Sequence, residues 1–344
     1  MTALGQLTPT PLPPVRPRRW PLALGIVSAL MIVAVLLVLS PWDRARGQWL
    51  QDQWTVLTQP SPEEIQAIAD ATGMSDEGRL IFLASTPEIE DADAFNDDCA
   101  VESQGTLGCF DGTDIYIFKV TDPRLQGTIE VTGAHEMLHA AYQRLSREER
   151  AEIDALVQQA VAAIPEDDPV FSDMSLYPKS QWPDEWHSRL GTEFADLPPA
   201  LEEHYARYFD DRSLVLALDE QSTALLDELE AQLDELSARI DELDAEITRR
   251  QEAYDTALAA YESDVDSFNA RADAGDFDSQ AQFDRERAAL VKRQKALEAE
   301  RVAVNDLVDE YNELLDRLSA VDADYAELYE SLDSTAPSAG SPDG

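Results

Sequence analysis

Apolar positions change rhythm three times along the chain. An uncharged apolar run, Leu22–Leu39, comes first. It is long enough to cross a bilayer as one helix, so residues 21–40 are expected to form a transmembrane helix. From about residue 45 to residue 218 the signals are mixed. Ser61–Thr72 reads as a helix capped by Ser61, with Glu63 and Glu64 in its first turn. Arg79–Ser85, RLIFLAS, reads as a strand. Asp114–Val120, DIYIFKV, is β-branched and aromatic on both faces and reads as a largely buried strand. Helical patterns follow at about 127–145, 147–164, 180–195 and 199–218, separated by polar or Pro-containing breaks.

The third rhythm is a heptad. Leu226, Leu229, Leu233, Leu236, Ile240, Leu243 and Ile247 alternate at spacings of three and four, and the seam continues more loosely to Phe268. After a break holding Gly275, apolar residues from Phe283 to Leu332 recur every seven residues, with Leu307, Leu314, Val321 and Leu328 at the alternate position. Two arms of similar length about a Gly-containing turn predict an antiparallel coiled-coil hairpin over 222–332; a parallel dimer with a stutter at the break is the alternative. The fold class expected is therefore an α+β domain over 45–218, preceded by a single transmembrane helix and followed by an all-α antiparallel coiled-coil hairpin. Residues 1–20, Pro-rich, and 333–344 are expected to be disordered.

Charge narrows the partners. With 26 Lys and Arg against 69 Asp and Glu, the net charge of −43 disfavours nucleic acid, whose phosphates it repels. Arg16, Arg18 and Arg19 before the apolar run outweigh Arg44 and Arg46 after it, which Asp43 partly offsets. By the positive-inside rule the N-terminus is cytoplasmic and the rest lies outside the cell membrane. A cleaved signal peptide is the alternative, but SPWDRARGQ offers no convincing cleavage site. In an oxidising space Cys99 and Cys109 are a disulfide candidate; two unpaired thiols are the other reading.

The segment Thr132–Leu145, TGAHEMLHAAYQRL, carries the chemistry. His135 and His139 are four apart, so on a helix both imidazoles face one way and can share a tetrahedral Zn2+. Glu136 adjoins the first ligand and can act as general base toward a water that the zinc activates. All four histidines, His135, His139, His187 and His204, fall in this half of the compact domain.

His135-Glu136-Met137-Leu138-His139 resembles the active-site helix of zincin metallopeptidases, and Asp184-Glu185-Trp186-His187-Ser188 is similar to the N-E-x-x-S context of the gluzincin branch. The resemblance covers about 25 residues. It implies a zincin-like domain, zinc as cofactor and Glu185 as the third metal ligand after His135 and His139, with Glu193 and His187 as competitors. The longer metzincin pattern is absent: Tyr142 and Leu145 stand where its Gly and third His belong. Arg189 departs from the family, which often has an acid there to accept a hydrogen bond from a ligand imidazole; Glu193 is the substitute considered. Since gluzincins use a His or Tyr to donate to the oxyanion, His204 and Tyr205 are further catalytic candidates, against a reading of both as core. Family members bind extended peptides along a strand beside the site helix, which here points to Asp114–Val120.

These readings converge on a membrane-anchored zinc-dependent peptidase acting on peptide or protein substrates, possible as a homodimer through the coiled coil. A zinc amidase acting on wall peptides shares the residues. The alternative from another class is a non-enzymatic envelope scaffold working through its coiled coil. The chain shows no phosphate-binding Gly loop and no Ser or Cys nucleophile constellation, so nucleotide chemistry is not expected.

Overall fold

The computed structural model describes residues 41–99 and 105–335, with side chains from Gly47 onward. The chain runs through α1 (Pro41–Thr58), α2 (Glu63–Ala71), α3 (Asp76–Ala84), β1 (Glu88–Glu90), α4 (Ala92–Asp98), β2 (Gly108–Phe110) and β3 (Ile115–Phe118). It continues through α5 (Thr128–Arg144), α6 (Arg147–Val161), α7 (Val170–Met174), α8 (Trp182–Thr192), α9 (Pro199–Tyr205), α10 (Ser213–Ala274) and α11 (Gln280–Ser331).

The expected fold class is corrected for the compact domain and for the membrane span. Helices dominate, and the sheet has three strands of only three or four residues each. Among the described residues no helix is long and apolar enough to cross a membrane, and the apolar run Leu22–Leu39 lies outside them. Local readings change too. RLIFLAS belongs to α3, where Ser75 caps the helix by accepting from the Gly78 amide, and Asp76 and Glu77 sit in the first turn. A short apolar run fits a buried helix as well as a strand, and the cap decides. In α2 the N-cap is Pro62 and not Ser61, with no side-chain cap bond.

The sheet order is β1-β3-β2, with β1 parallel and β2 antiparallel to β3. Because β3 is paired on both sides, it has no free edge for an extended peptide, which removes the docking role considered for Asp114–Val120.

Helix α5 is the centre of the compact part. Ala134, Met137, Leu138, Ala140 and Ala141 are buried along it. α2, α3, β2, β3 and α8 all pack on it, as does the start of α10. A helix covered on most sides must be apolar or small on most sides, and this sequence is. The approach of α8 depends on Gly191: a Cβ there would lie 2.3 Å from Leu138 Cδ1 and 2.8 Å from Tyr205 Cε1.

Helices α10 and α11 form one antiparallel hairpin. Ion pairs Arg239–Glu310 at 2.9 Å, Arg250–Glu300 at 2.8 Å and Arg271–Glu286 at 2.6 Å step down one arm and up the other. Leu236, Ile240, Leu243 and Leu314 fill the seam. The turn is made by Gly275, whose φ of 67° is the left-handed conformation glycine adopts without strain, and is covered by Phe268, Phe277 and Phe283. The root is part of the compact domain: Val215 is fully buried in the main core. At the same end Leu125, just before α5, packs with Leu229 and Leu328.

Replacing Gly191 by Ala sets a methyl group against Leu138 and the Tyr205 ring, which must shift. We expect a loss of about 1–3 kcal/mol, read as a lower denaturant midpoint with unchanged slope; an unchanged midpoint would contradict the close-packing account.

Candidate metal centre

Two helices build the site. α5 presents His135 and His139 one turn apart, and the first turn of α8 brings Asp184 and Glu185 against them. The His135 and His139 Nε2 atoms are 3.1 Å apart. Glu185 reaches both, with Oε1 3.7 Å from His135 Nε2 and Oε2 3.4 Å from His139 Nε2. One ligand atom from each of the three residues falls within a 4.8 Å span.

This set fits zinc. Ligands on a tetrahedron with bonds of about 2.0–2.2 Å stand about 3.3–3.6 Å from one another, close to the spacings seen. Two imidazole nitrogens so near each other repel unless a proton or a cation lies between them. The tautomer is also prepared: His139 Nδ1 lies 2.8 Å from Asp184 Oδ1, so it donates there and turns the Nε2 lone pair toward Glu185. Asp184 was named in the sequence only as part of the motif around Glu185. It takes the orienting role considered for Glu193, because it begins the turn of α8 that faces His139.

Glu193 is tied instead to Arg189 Nη1, at 3.3 Å. The same guanidinium donates from Nε to Glu185 Oε1 at 2.9 Å. The basic residue that departed from the family pattern thus orients the third candidate ligand. His187, the other competitor, is fully buried and points away, its Nε2 2.9 Å from His204 Nε2. Burial and the neighbouring His204 hold His187 well below the usual imidazole range, and burial with Arg207 lowers His204 to about 4. Tyr205 is also in the core, its hydroxyl donating to the His187 carbonyl at 2.7 Å. The structure places His204 and Tyr205 in packing contact with one another and with His187.

A residue that sequence reasoning missed is Tyr177, before α8. Burial and the nearby Glu185 carboxylate push its phenol up to about 12, against the pull of Arg189, and Glu136 adds to the rise. No spacing rule marks it, since it comes from a loop. Asp219, at the root of the hairpin, is raised to about 7 by burial and by Glu193. Glu136 is buried, and burial raises its carboxyl while His139 and His135 pull it back.

Comparison of the chain with protein-family models, with curated proteins and with solved structures finds no match.

Proton linkage has a clear sign. Burial alone would lower His139, but hydrogen bonds to Asp184 and Glu185 hold it well above its ordinary value. In the metal-free protein its contribution to stability is complete below the ordinary imidazole range of about 6.5 and is lost as pH rises through the raised value. Metal competes for the same lone pair, so affinity falls as pH drops. Melting of the chelator-treated protein should weaken from neutral to alkaline pH; a melting point that climbs over that range would contradict the assignment. Asp184→Asn should cost about 10- to 100-fold in zinc affinity, measured by competition with a chromogenic chelator. An unchanged affinity would remove Asp184 from the site.

Proposed function

We propose that the protein is a zinc-dependent hydrolase of peptide bonds. The observation that carries this reading is the convergence of His135, His139 and Glu185 with the buried Glu136 adjoining the first of them. A site that only holds a metal for structure has no use for an acid there, whereas hydrolysis depends on one.

His135, His139 and Glu185 would hold the ion. When bound, zinc supplies Lewis acidity, lowering the pKa of water and polarising a carbonyl. Glu136 takes the proton of the attacking water and returns it to the departing amine. Burial raises its carboxyl, and the His139 and His135 rings pull it back. Asp184 fixes the His139 ring, and the Arg189 hydrogen bond holds Glu185 in place. The acidity of the chain disfavours anionic polymers as substrates and favours neutral or cationic peptides.

Glu136→Gln should lower hydrolysis of a peptide library by about 10²- to 10⁴-fold with zinc content unchanged, read by mass spectrometry of the products. Equal cleavage by both proteins would exclude Glu136 as the base. Cleavage by neither would favour a scaffold that works through its hairpin.

A further inference from the structure

The outer strand of the sheet packs against the site helix. β2 lies along α5, and at Gly108 the approach is so close that a Cβ would lie 2.5 Å from Thr132 Cγ2, 2.7 Å from Glu136 Oε1 and 2.9 Å from Glu136 Cγ. Side chains pack at van der Waals distance, so nothing larger than glycine fits while Glu136 keeps its present rotamer. The carboxylate of Glu136 occupies the space that a side chain at residue 108 would take.

A three-residue edge strand frays unless something holds it. Here β2 is held on two sides. Gly108 pairs with Ile117 and Cys109 with Tyr116 in β3, and Phe118 donates its amide to Leu107 at 2.8 Å. Cys109 is also disulfide-bonded to Cys99, the residue that caps α4, with the two Cα atoms 6.1 Å apart. That crosslink sits in a small apolar cluster with Phe95 and Phe118, separate from the main core. The covalent anchor is thus one residue from the point where the strand meets Glu136.

We propose that Gly108, pinned by the Cys99–Cys109 disulfide, is a positioning residue for Glu136: its missing side chain opens the seat in which the carboxylate lies beside the two histidines. The role of Glu136 as base rests on the hydrolase reading; the seat does not. None of the three candidate metal ligands is among the atoms nearest Gly108. A side chain at 108 therefore meets Thr132 and Glu136 first, and Glu136, long and flexible, is the one of the two that bears on the site. Misplacing a reacting group by about 1 Å costs about 10²-fold in rate.

The test uses the full chain carrying Gly108→Ala with Thr132→Ser. The second change deletes the methyl that would also clash, so that Glu136 alone must yield. Crystal structures of the variant and the unmodified protein should show the Glu136 carboxylate moved away from β2 with His135, His139 and Glu185 unshifted. Zinc content should be equal, and kcat should fall about 10²-fold with KM unchanged. Glu136→Asp, shorter by one methylene, should cost activity in the unmodified protein but little more in the variant, because it fits beneath the new Cβ; that non-additivity is absent if the loss is merely structural. Replacing Cys99 and Cys109 by Ser should speed amide exchange at Gly108–Phe110 and lower kcat, again with zinc retained. An unmoved Glu136 carboxylate in the variant crystal overturns the proposal, as do additive losses or zinc lost in step with activity. If the unmodified protein binds zinc and cleaves no peptide, the hydrolase reading fails while the crystal comparison still decides the seat.

Discussion

The contact between α5 and α8 is the constraint on which the site depends. Alone, α5 offers two imidazoles whose Nε2 atoms face each other at 3.1 Å, an arrangement that repels without a cation or a proton. α8 resolves it by bringing the Glu185 carboxylate to both rings and Asp184 to the far side of one of them. That approach is possible because Gly191 leaves room for Leu138 and Tyr205. Most of the compact domain then reads as support. α2, α3 and the sheet brace α5, and His204 and Tyr205 of α9 pack against His187 of α8.

The hairpin is rooted in this arrangement and not appended to it. Val215 of α10 lies in the main core, and Leu125, just ahead of α5, is buried against Leu229 and Leu328. Arg124 pairs with Glu327 at 2.7 Å, and Asn96 donates to the Ser334 carbonyl at 2.6 Å. The surface ion pairs add little individually; the buried leucines do most of the holding. Both arms of the hairpin therefore end close to the segment that leads into the site helix.

How much of this was legible in the chain differs residue by residue. The shared face of His135 and His139 follows from helical spacing alone, and the seam through Leu236, Ile240 and Leu243 follows from the heptad. Glu185 was reachable only through a resemblance, because nothing in its own surroundings separates it from the chain's many solvated acids. Asp184 was not legible: its contact with His139 depends on the angle at which α8 meets α5. RLIFLAS was misread because an apolar run of that length lacks a period, and the cap at Ser75 carried the information. His204 and Tyr205 share one helical turn with other aromatics, and the core claimed them. Gly108 gave no signal, since only the packing shows what its missing side chain admits.

The proposed hydrolysis requires a zinc ion held by His135, His139 and Glu185. Its most direct test is elemental analysis of the purified protein beside the His139→Ala variant. We expect about one zinc per chain in the first and none in the second. A protein without tightly bound metal, or one whose metal survives the loss of His139, would contradict it.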